Sequence, residues 1–389
     1  MTTDLIRRLF IDFFVSKGLV EIKSASLIPS DDPTVLFTTA GMQPLVPYLL
    51  GEKHPAGDKL VNYQKCVRTV DIDNISDSSH LTLIEMLGHW SLGSYYKKEA
   101  IAWIFEWLTS SDWINLDPNR LYVAVFKGDD IVPKDTESID AWQKCFDEVG
   151  INAEPDKRIL QKDRFEDGAC WWEIENSSNS PAGPDTEVYY YIGTASSPVF
   201  DTEDNDFIEI CNTVFMSYQK VNDDEYLELP KKNVDFGGGL ERIAMVKQGV
   251  NSVHETDKFV EMNKAVLAFS KELSESDYRN NLDDIYILID HLRTSVFLAG
   301  DGVVPSNTHQ GYVLRRLIRR AIRKSLILGI DSELFNKLAP VVIHLYKVAY
   351  PILEENKELI LKTLNNEERL FRKTISEGLK RFDKLSSEI

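Results

Sequence analysis

Val234-Asp235-Phe236-Gly237-Gly238-Gly239-Leu240-Glu241-Arg242-Ile243-Ala244-Met245 is the stretch on which the reading of this chain turns. Three consecutive glycines stand between an apolar strand end and a helical run, so the backbone can approach a ligand closely there. Arg242, one turn into the helix, can hold a phosphate or a carboxylate. The stretch lacks the GxxxxGK[ST] spacing of a phosphate loop, and no acidic residue closes a second strand of a βαβ unit, so it is not a dinucleotide fingerprint either. Taken alone, it reads equally well as a tight structural turn.

The sequence changes texture on either side of it. From about residue 20 to 245, short apolar or alternating runs are separated by Gly, Pro, Asp and Ser: Val35–Thr38, Val61–Arg68, Leu81–Leu87, Leu121–Phe126, Glu187–Ile192 and Phe207–Tyr218. Several follow one another without the crossover that parallel strands require, which predicts an antiparallel sheet. Ahead of them, Leu5–Ser16 places Leu5, Ile6, Leu9, Phe10, Phe13 and Phe14 at helical spacing, and a helix carrying Trp103 and Trp107 interrupts the strands at 97–110. After about residue 255 strand signals cease, and helices are predicted over Asp257–Leu273, Asp283–Leu298, Tyr312–Leu328, Glu333–Val348 and Leu353–Ser387. The expected fold class is α+β, with an antiparallel sheet flanked by helices over 1–250 and an all-helical domain over 251–389.

Composition narrows the function classes. With 389 residues and 43% apolar side chains the chain can bury a sizeable core, and its net charge of −18 argues against a general nucleic-acid coat. Any nucleic-acid contact must come from a local patch. The helix over 312–328 offers one: Arg315, Arg319 and Arg323 recur every four residues, as do Arg316, Arg320 and Lys324, while Leu314, Leu317, Ile318, Ala321 and Ile322 take the opposite side. Six like charges on one helix repel unless a polyanion or acidic neighbours compensate them. A further candidate is the predicted hairpin over 63–92, with Arg68 at the end of one strand, Glu85 in the other and the polar loop Asp71–Ser79 between them. An arginine there suits bidentate phosphate capture, although a plain surface arginine is the commoner case. The cysteines form no CxxC pair and the histidines no HExxH, so no zinc is expected in this chain. With no signal-like apolar block and no long apolar run, a cytoplasmic location and no membrane partner are expected.

Together and in this order, these segments resemble the alanyl-tRNA synthetase family of class II aminoacyl-tRNA synthetases. Leu36-Phe37-Thr38-Thr39-Ala40-Gly41-Met42 is similar to its first motif, Lys65-Cys66-Val67-Arg68 with Glu85-Met86-Leu87-Gly88 to its second, and Val234–Arg242 to its third. Asp290-His291-Leu292-Arg293-Thr294, Pro305-Ser306-Asn307 and Gly311–Arg316 resemble the start of its helical tRNA-binding region. The resemblance implies activation of L-alanine with ATP and Mg2+ to alanyl-adenylate, then transfer to the 3′ end of tRNA(Ala). By the same resemblance Arg68 is expected to hold the α-phosphate and the amino-acid carboxylate, and Arg242 the terminal phosphates of a bent ATP. Ile84, Met86 and Gly239 would line the nucleotide. Asp235 would accept the α-ammonium with Asn212 beside it, Trp172 or else Trp171 would wall the side-chain pocket, and Gly237 would leave room for the methyl. Asn307 resembles a residue that reads the acceptor stem, with Arg315, Arg316, Arg319 and Arg323 on its phosphates. The magnesium ligands stay open, with Glu85 and Glu209 as candidates.

Departures from the family pattern are local at first. The loop Thr69–Asn74 is short, Ile84 replaces a usual phenylalanine, and Gly238 replaces a usual methionine. At the C-terminus the match stops where relatives continue into editing and oligomerisation regions. A minimal or truncated form is therefore expected, with serine and glycine errors left to a possible trans-acting editing factor, since size discrimination supplies only about 1–3 kcal/mol. The alternative reading is a class II-like alanine-activating paralogue that loads a non-tRNA acceptor; the basic helix and Asn307 speak against it.

Overall fold

The structure, a computed structural model, describes residues 1–29, 35–73, 75, 77–164, 170–173, 180–222, 225–270 and 280–386. The chain divides into two compact units: residues 1–25, 40–65 and 85–251 form one, and residues 26–39, 66–84 and 252–389 the other.

The first unit is built on α1 (Thr3–Ser16), β1 (Val20–Glu21), α2 (Val46–Leu49), β2 (Lys59–Val67), β3 (Leu83–Leu92), α3 (Lys97–Thr109), β4 (Leu121–Phe126), α4 (Thr136–Glu148), β5 (Ile159–Lys162), β6 (Trp171–Glu173), β7 (Ser180–Tyr191), β8 (Phe207–Asn222), β9 (Glu225–Gly239) and α5 (Leu240–Gln248). The strand order is β1-β2-β3-β9-β8-β7-β4-β5, with β6 beside β7. The pairs β3–β9, β9–β8, β8–β7 and β7–β4 are antiparallel as expected. At the two margins β1–β2 and β4–β5 are parallel. Both parallel pairs are joined by long connections, residues 22–58 in one case and a segment containing α4 in the other, which give the chain room to return in the same direction.

Strand alternation separates two faces. On one face Phe236 of β9 and His89 of β3 stack at 4.7 Å, and the Phe10 and Phe14 rings of α1 cover them at 5.7 Å from Phe236 and 4.2 Å from His89 respectively. Trp107 of α3 meets Phe10 edge-on at 5.1 Å. All five side chains are fully buried, and each large apolar group removed from water contributes about 1.5–3 kcal/mol. The apolar periodicity of α1 is thus the imprint of this packing. The opposite face carries Asp235, Gly237 and Gly239.

The second unit contains α6 (Asp257–Phe269), α7 (Leu282–Gly300), α8 (His309–Ile327), α9 (Leu334–Tyr346), α10 (Ile352–Glu355) and α11 (Lys357–Ser386). Helix α7 packs against α8, α9, α10 and α11, and its Asp290, His291, Arg293, Thr294 and Ser295 are all fully buried. The apolar stripe of α8 is buried as its spacing predicts. The single helix expected over Leu353–Ser387 is divided at Asn356, whose Nδ2 donates to the Gly300 carbonyl at 2.8 Å. Residues 271–273 and 387 of the expected helices lie outside the described residues. Val35–Thr38, expected as a strand, forms none. The Thr38 N–H and hydroxyl donate locally to the Leu27 and Ser26 carbonyls at 3.0 and 2.8 Å, and its carbonyl accepts from the Val67 N–H of β2 at 2.9 Å.

Candidate functional site

Cross-strand register lines up Trp90, Asp235, Val214 and Asp185 in one row and Gly88, Gly237, Asn212 and Glu187 in the next. A period of two puts both rows on the same face of the sheet. Asp235 is buried there, and Trp90 Nε1 donates to its Oδ1 at 2.7 Å. Burial pushes the Asp235 carboxyl up to about 7, against the pull of the Trp90 hydrogen bond. The Trp90 indole needs two glycines beside it, since a Cβ on Gly88 would lie 2.1 Å from its ring and one on Gly41 2.9 Å. Gly237 faces Met86, whose sulfur would stand 3.1 Å from an added Cβ.

Asn212 Nδ2 donates to Asp185 Oδ2 at 3.1 Å. That leaves Asn212 Oδ1 buried without a hydrogen-bond donor among the described residues, while the Cys170 thiol also engages the Asp185 carboxyl. An unmet buried acceptor is costly, so this oxygen favours a ligand that donates a hydrogen bond. Burial raises the Asp185 carboxyl to about 7, the Asn212 bond opposing and the nearby Glu209 charge adding to it. Glu187 is pushed well above its ordinary value by burial and then by the Glu209 and Asp185 charges. Of the two tryptophans left open by the sequence, Trp172 packs on the cluster that contains Trp90, Val214 and Met216. Trp171 belongs to a different cluster with Phe126, and the Arg164 guanidinium lies 3.8 Å over its ring.

At the end of β9, Gly239 caps α5 and Arg242 stands in the first helical turn. Arg242 Nη1 donates to the Glu209 side chain at 2.9 Å and to the Glu209 carbonyl at 3.1 Å. Met86 is the register partner of Gly239, so Arg242 leaves the sheet beside the Met86 position. Glu85 points to the other face, where Arg7 grips its carboxylate through two contacts of 2.9 Å and the group is fully buried. Of the two magnesium candidates, Glu209 stands by Arg242 and Glu85 is committed to Arg7. Among the described residues no three metal-ligating side chains converge.

Arg68 and Ile84 belong to the second unit. Arg68 follows β2 directly, with its N–H bonded to the Thr82 carbonyl at 2.9 Å and its Nε reaching the Thr39 carbonyl at 3.5 Å. Helix α7 fixes the neighbouring backbone: Asp290 Oδ1 accepts the Thr82 N–H and Arg293 Nη1 donates to the Leu83 carbonyl, each at 2.8 Å. Ile84 comes next along β3 and shares a strand face with Met86. The segment Thr69–Asp73 forms a 3-10 turn, and Asn74 lies outside the described residues.

The basic stripe of α8 lines a groove of about 610 Å³ together with Asp73, Tyr312 and Phe371. Its cations are partly compensated. Asp73 meets Arg316 at 3.2 Å and Arg320 at 2.5 Å, and Glu367 meets Arg315 at 3.3 Å and Arg319 at 2.8 Å. Lys324 pairs with Asp284, and Arg315 also contacts the Asn307 side chain. Three carboxylates against six cations leave an excess of three positive charges, so acidic neighbours halve the net charge of the stripe. Three features that carry weight here went unread in the sequence: Trp90, Asp73 and Glu367. Only Trp90 left a signal, as the residue four on from Met86 in a strand.

Comparison with known proteins is consistent along the whole chain. A family model described as tRNA synthetases class II (A) matches residues 5–389. The chain is 45% identical over 397 residues to a protein named alanine–tRNA ligase from Borreliella afzelii (strain PKo), covering 100% of this chain and 64% of that one. A protein of the same name from Treponema pallidum (strain Nichols) is 42% identical, with 98% and 62% covered. Another from Lacticaseibacillus paracasei is 38% identical, with 100% and 43% covered. The chain thus spans a little under two thirds of the length of the first of these curated relatives.

Proposed function

The chain belongs to the class II (A) tRNA synthetases, and from that membership we propose that it activates L-alanine with ATP to alanyl-adenylate and passes the alanyl group to the 3′ end of tRNA(Ala). The likeness to proteins named alanine–tRNA ligase, which spans this chain and 64% and 62% of theirs, supports the choice of amino acid. The observation that carries it in the structure is the buried Asp235 carboxylate, held by Trp90 and standing next to Gly237 on one face of the sheet. An ammonium-binding anion beside a position without a side chain suits a very small amino acid.

In the first step an oxygen of the alanine carboxylate attacks the α-phosphorus, and the bond to pyrophosphate breaks. The nucleophile is already an anion, so no side-chain base is required. Catalysis then falls to positioning and to positive charge at the developing phosphate oxygens. Arg68 takes the α-phosphate and the amino-acid carboxylate, and Arg242 the terminal phosphates, exchanging its contact with Glu209 for them. Ile84, Met86 and Gly239 lie along the nucleotide, Asn212 joins Asp235 on the ammonium, and Trp172 limits side-chain size. Mg2+ suits a site with a single carboxylate such as Glu209, because it is ordinarily held by one or two protein oxygens plus the phosphates, whose charge it neutralises.

In the second step the terminal hydroxyl of the tRNA attacks the alanyl carbonyl and adenylate leaves. The α8 groove is assigned to the acceptor stem, with Arg315, Arg316, Arg319 and Arg323 on phosphates and Asn307 on a base edge. Residues 1–250 accordingly serve aminoacylation and 251–389 acceptor-stem recognition. No helix among the described residues is long and apolar enough to cross a membrane, and we place the enzyme in the cytoplasm, where its RNA substrate resides. A separate editing factor completes the scheme.

Alanine-dependent exchange of pyrophosphate into ATP tests this directly. The full chain should catalyse it, and Arg68→Ala should lower the rate by about 10³-fold or more. Faster exchange with another amino acid, or none with alanine, would overturn the assignment, and charging of total tRNA separates it from loading of another acceptor.

A further inference from the structure

We propose that Asp73 is an internal stand-in for an RNA phosphate: it occupies Arg316 and Arg320 while the α8 groove is empty, and an RNA backbone must displace it to bind. The proposal rests on the reading of that groove as an acceptor-stem site. Three carboxylates meet the basic stripe, and they differ in setting. The Glu367 side chain is 4% exposed and holds Arg315 and Arg319 from the protein side, so it orients them and stays in place. Asp284, 20% exposed, does the same for Lys324. The Asp73 side chain is 70% exposed, and Asp73 is the one carboxylate among the groove-lining residues. It also engages two arginines at once, contacting Arg316 through both carboxylate oxygens at 3.2 Å. A backbone phosphate likewise offers two non-bridging acceptor oxygens that a guanidinium can pair with in bidentate fashion, and a solvent-exposed carboxylate pair resists exchange weakly.

Displacement has a consequence along the chain. Asp73 ends the 3-10 turn that begins at Thr69, the residue after Arg68. Ile72, one residue before Asp73, is 2% exposed, so the turn has a buried apolar side chain beside its exposed carboxylate. RNA that takes Arg316 and Arg320 therefore releases Asp73 from both arginines and loosens that end of the segment. Asp73 both weakens RNA binding and ties the backbone behind a substrate-binding arginine to the state of the groove.

The experiment compares the full chain with Asp73→Asn, using a fluorescent RNA hairpin of acceptor-stem sequence across a salt series. Removing the competing charge should tighten binding roughly threefold to tenfold and steepen the dependence of log Kd on log salt by about 1. Asp77→Asn, whose carboxylate faces His80 instead, is the control and should leave both unchanged. Hydrogen exchange at the amides of 71–73 should be faster in Asp73→Asn, and faster in the unmodified chain once RNA is bound. Equal affinities with salt dependence intact, or RNA-induced protection of these amides, would overturn the stand-in and leave the groove assignment standing. Absence of salt-sensitive RNA binding by the unmodified chain would remove the groove assignment itself, and Asp73's role with it.

Discussion

Asp235 is poised near neutrality between its two protonation states by burial. On the proposed assignment the ammonium of alanine binds the carboxylate form, so with the carboxyl at about 7 the affinity for alanine should fall about tenfold for each pH unit below that value and level off above it. Titration calorimetry at several pH values checks this, with Asp235→Asn expected to bind weakly and without the profile. The effect on folding runs the other way. A carboxyl raised in the folded state stabilises below its unfolded value and loses that contribution as pH rises through about 7. Alanine should therefore stabilise the protein more at pH 8 than at pH 6. Asp235 enters the sequence reading only through the resemblance of Val234–Arg242 to a family motif, and Trp90 does not enter it at all, because a donor across a strand pair has no fixed sequence distance from its acceptor.

Elements are joined by polar contacts as well as by packing. Arg7 of α1 and Glu85 of β3 form an ion pair with side-chain exposures of 6% and 1%, and Arg7 also reaches Asp4. Removing one member leaves an uncompensated buried charge, so Arg7→Ala should cost about 3–5 kcal/mol in urea denaturation. Arg8→Ala, one residue on, breaks only an exposed pair with Asp12 and should cost less than about 1 kcal/mol. Most helices and the central strands were legible from periodicity, since their apolar side chains repeat in step with the element. Helix α4 was passed over although Ile139, Trp142, Cys145 and Phe146 carry its buried face and Asp135 caps it. The first half of β9 had no such pattern to offer: Glu225–Lys232 is mostly exposed, so nothing imposes alternation on it.

Across the whole molecule the charge is −18, yet the α8 groove retains an excess of three cations. Association with RNA should be steeply salt-dependent, and Arg323→Ala should reduce the slope of log Kd against log salt by about 1, measured by the hairpin titration. The stripe itself was visible in the sequence. Its partial neutralisation was not, because Asp73, Asp284 and Glu367 come from three distant stretches that only folding gathers. The two units are themselves interleaved along the chain. Segment 66–84 sits with the helices, where Asp290 and Arg293 hold Thr82 and Leu83. A protease scission after Asn251 would therefore not release a self-sufficient front half. The severed fragment would keep its sheet but carry Arg68 on an untethered strand end, so its pyrophosphate exchange should vanish before its circular dichroism changes.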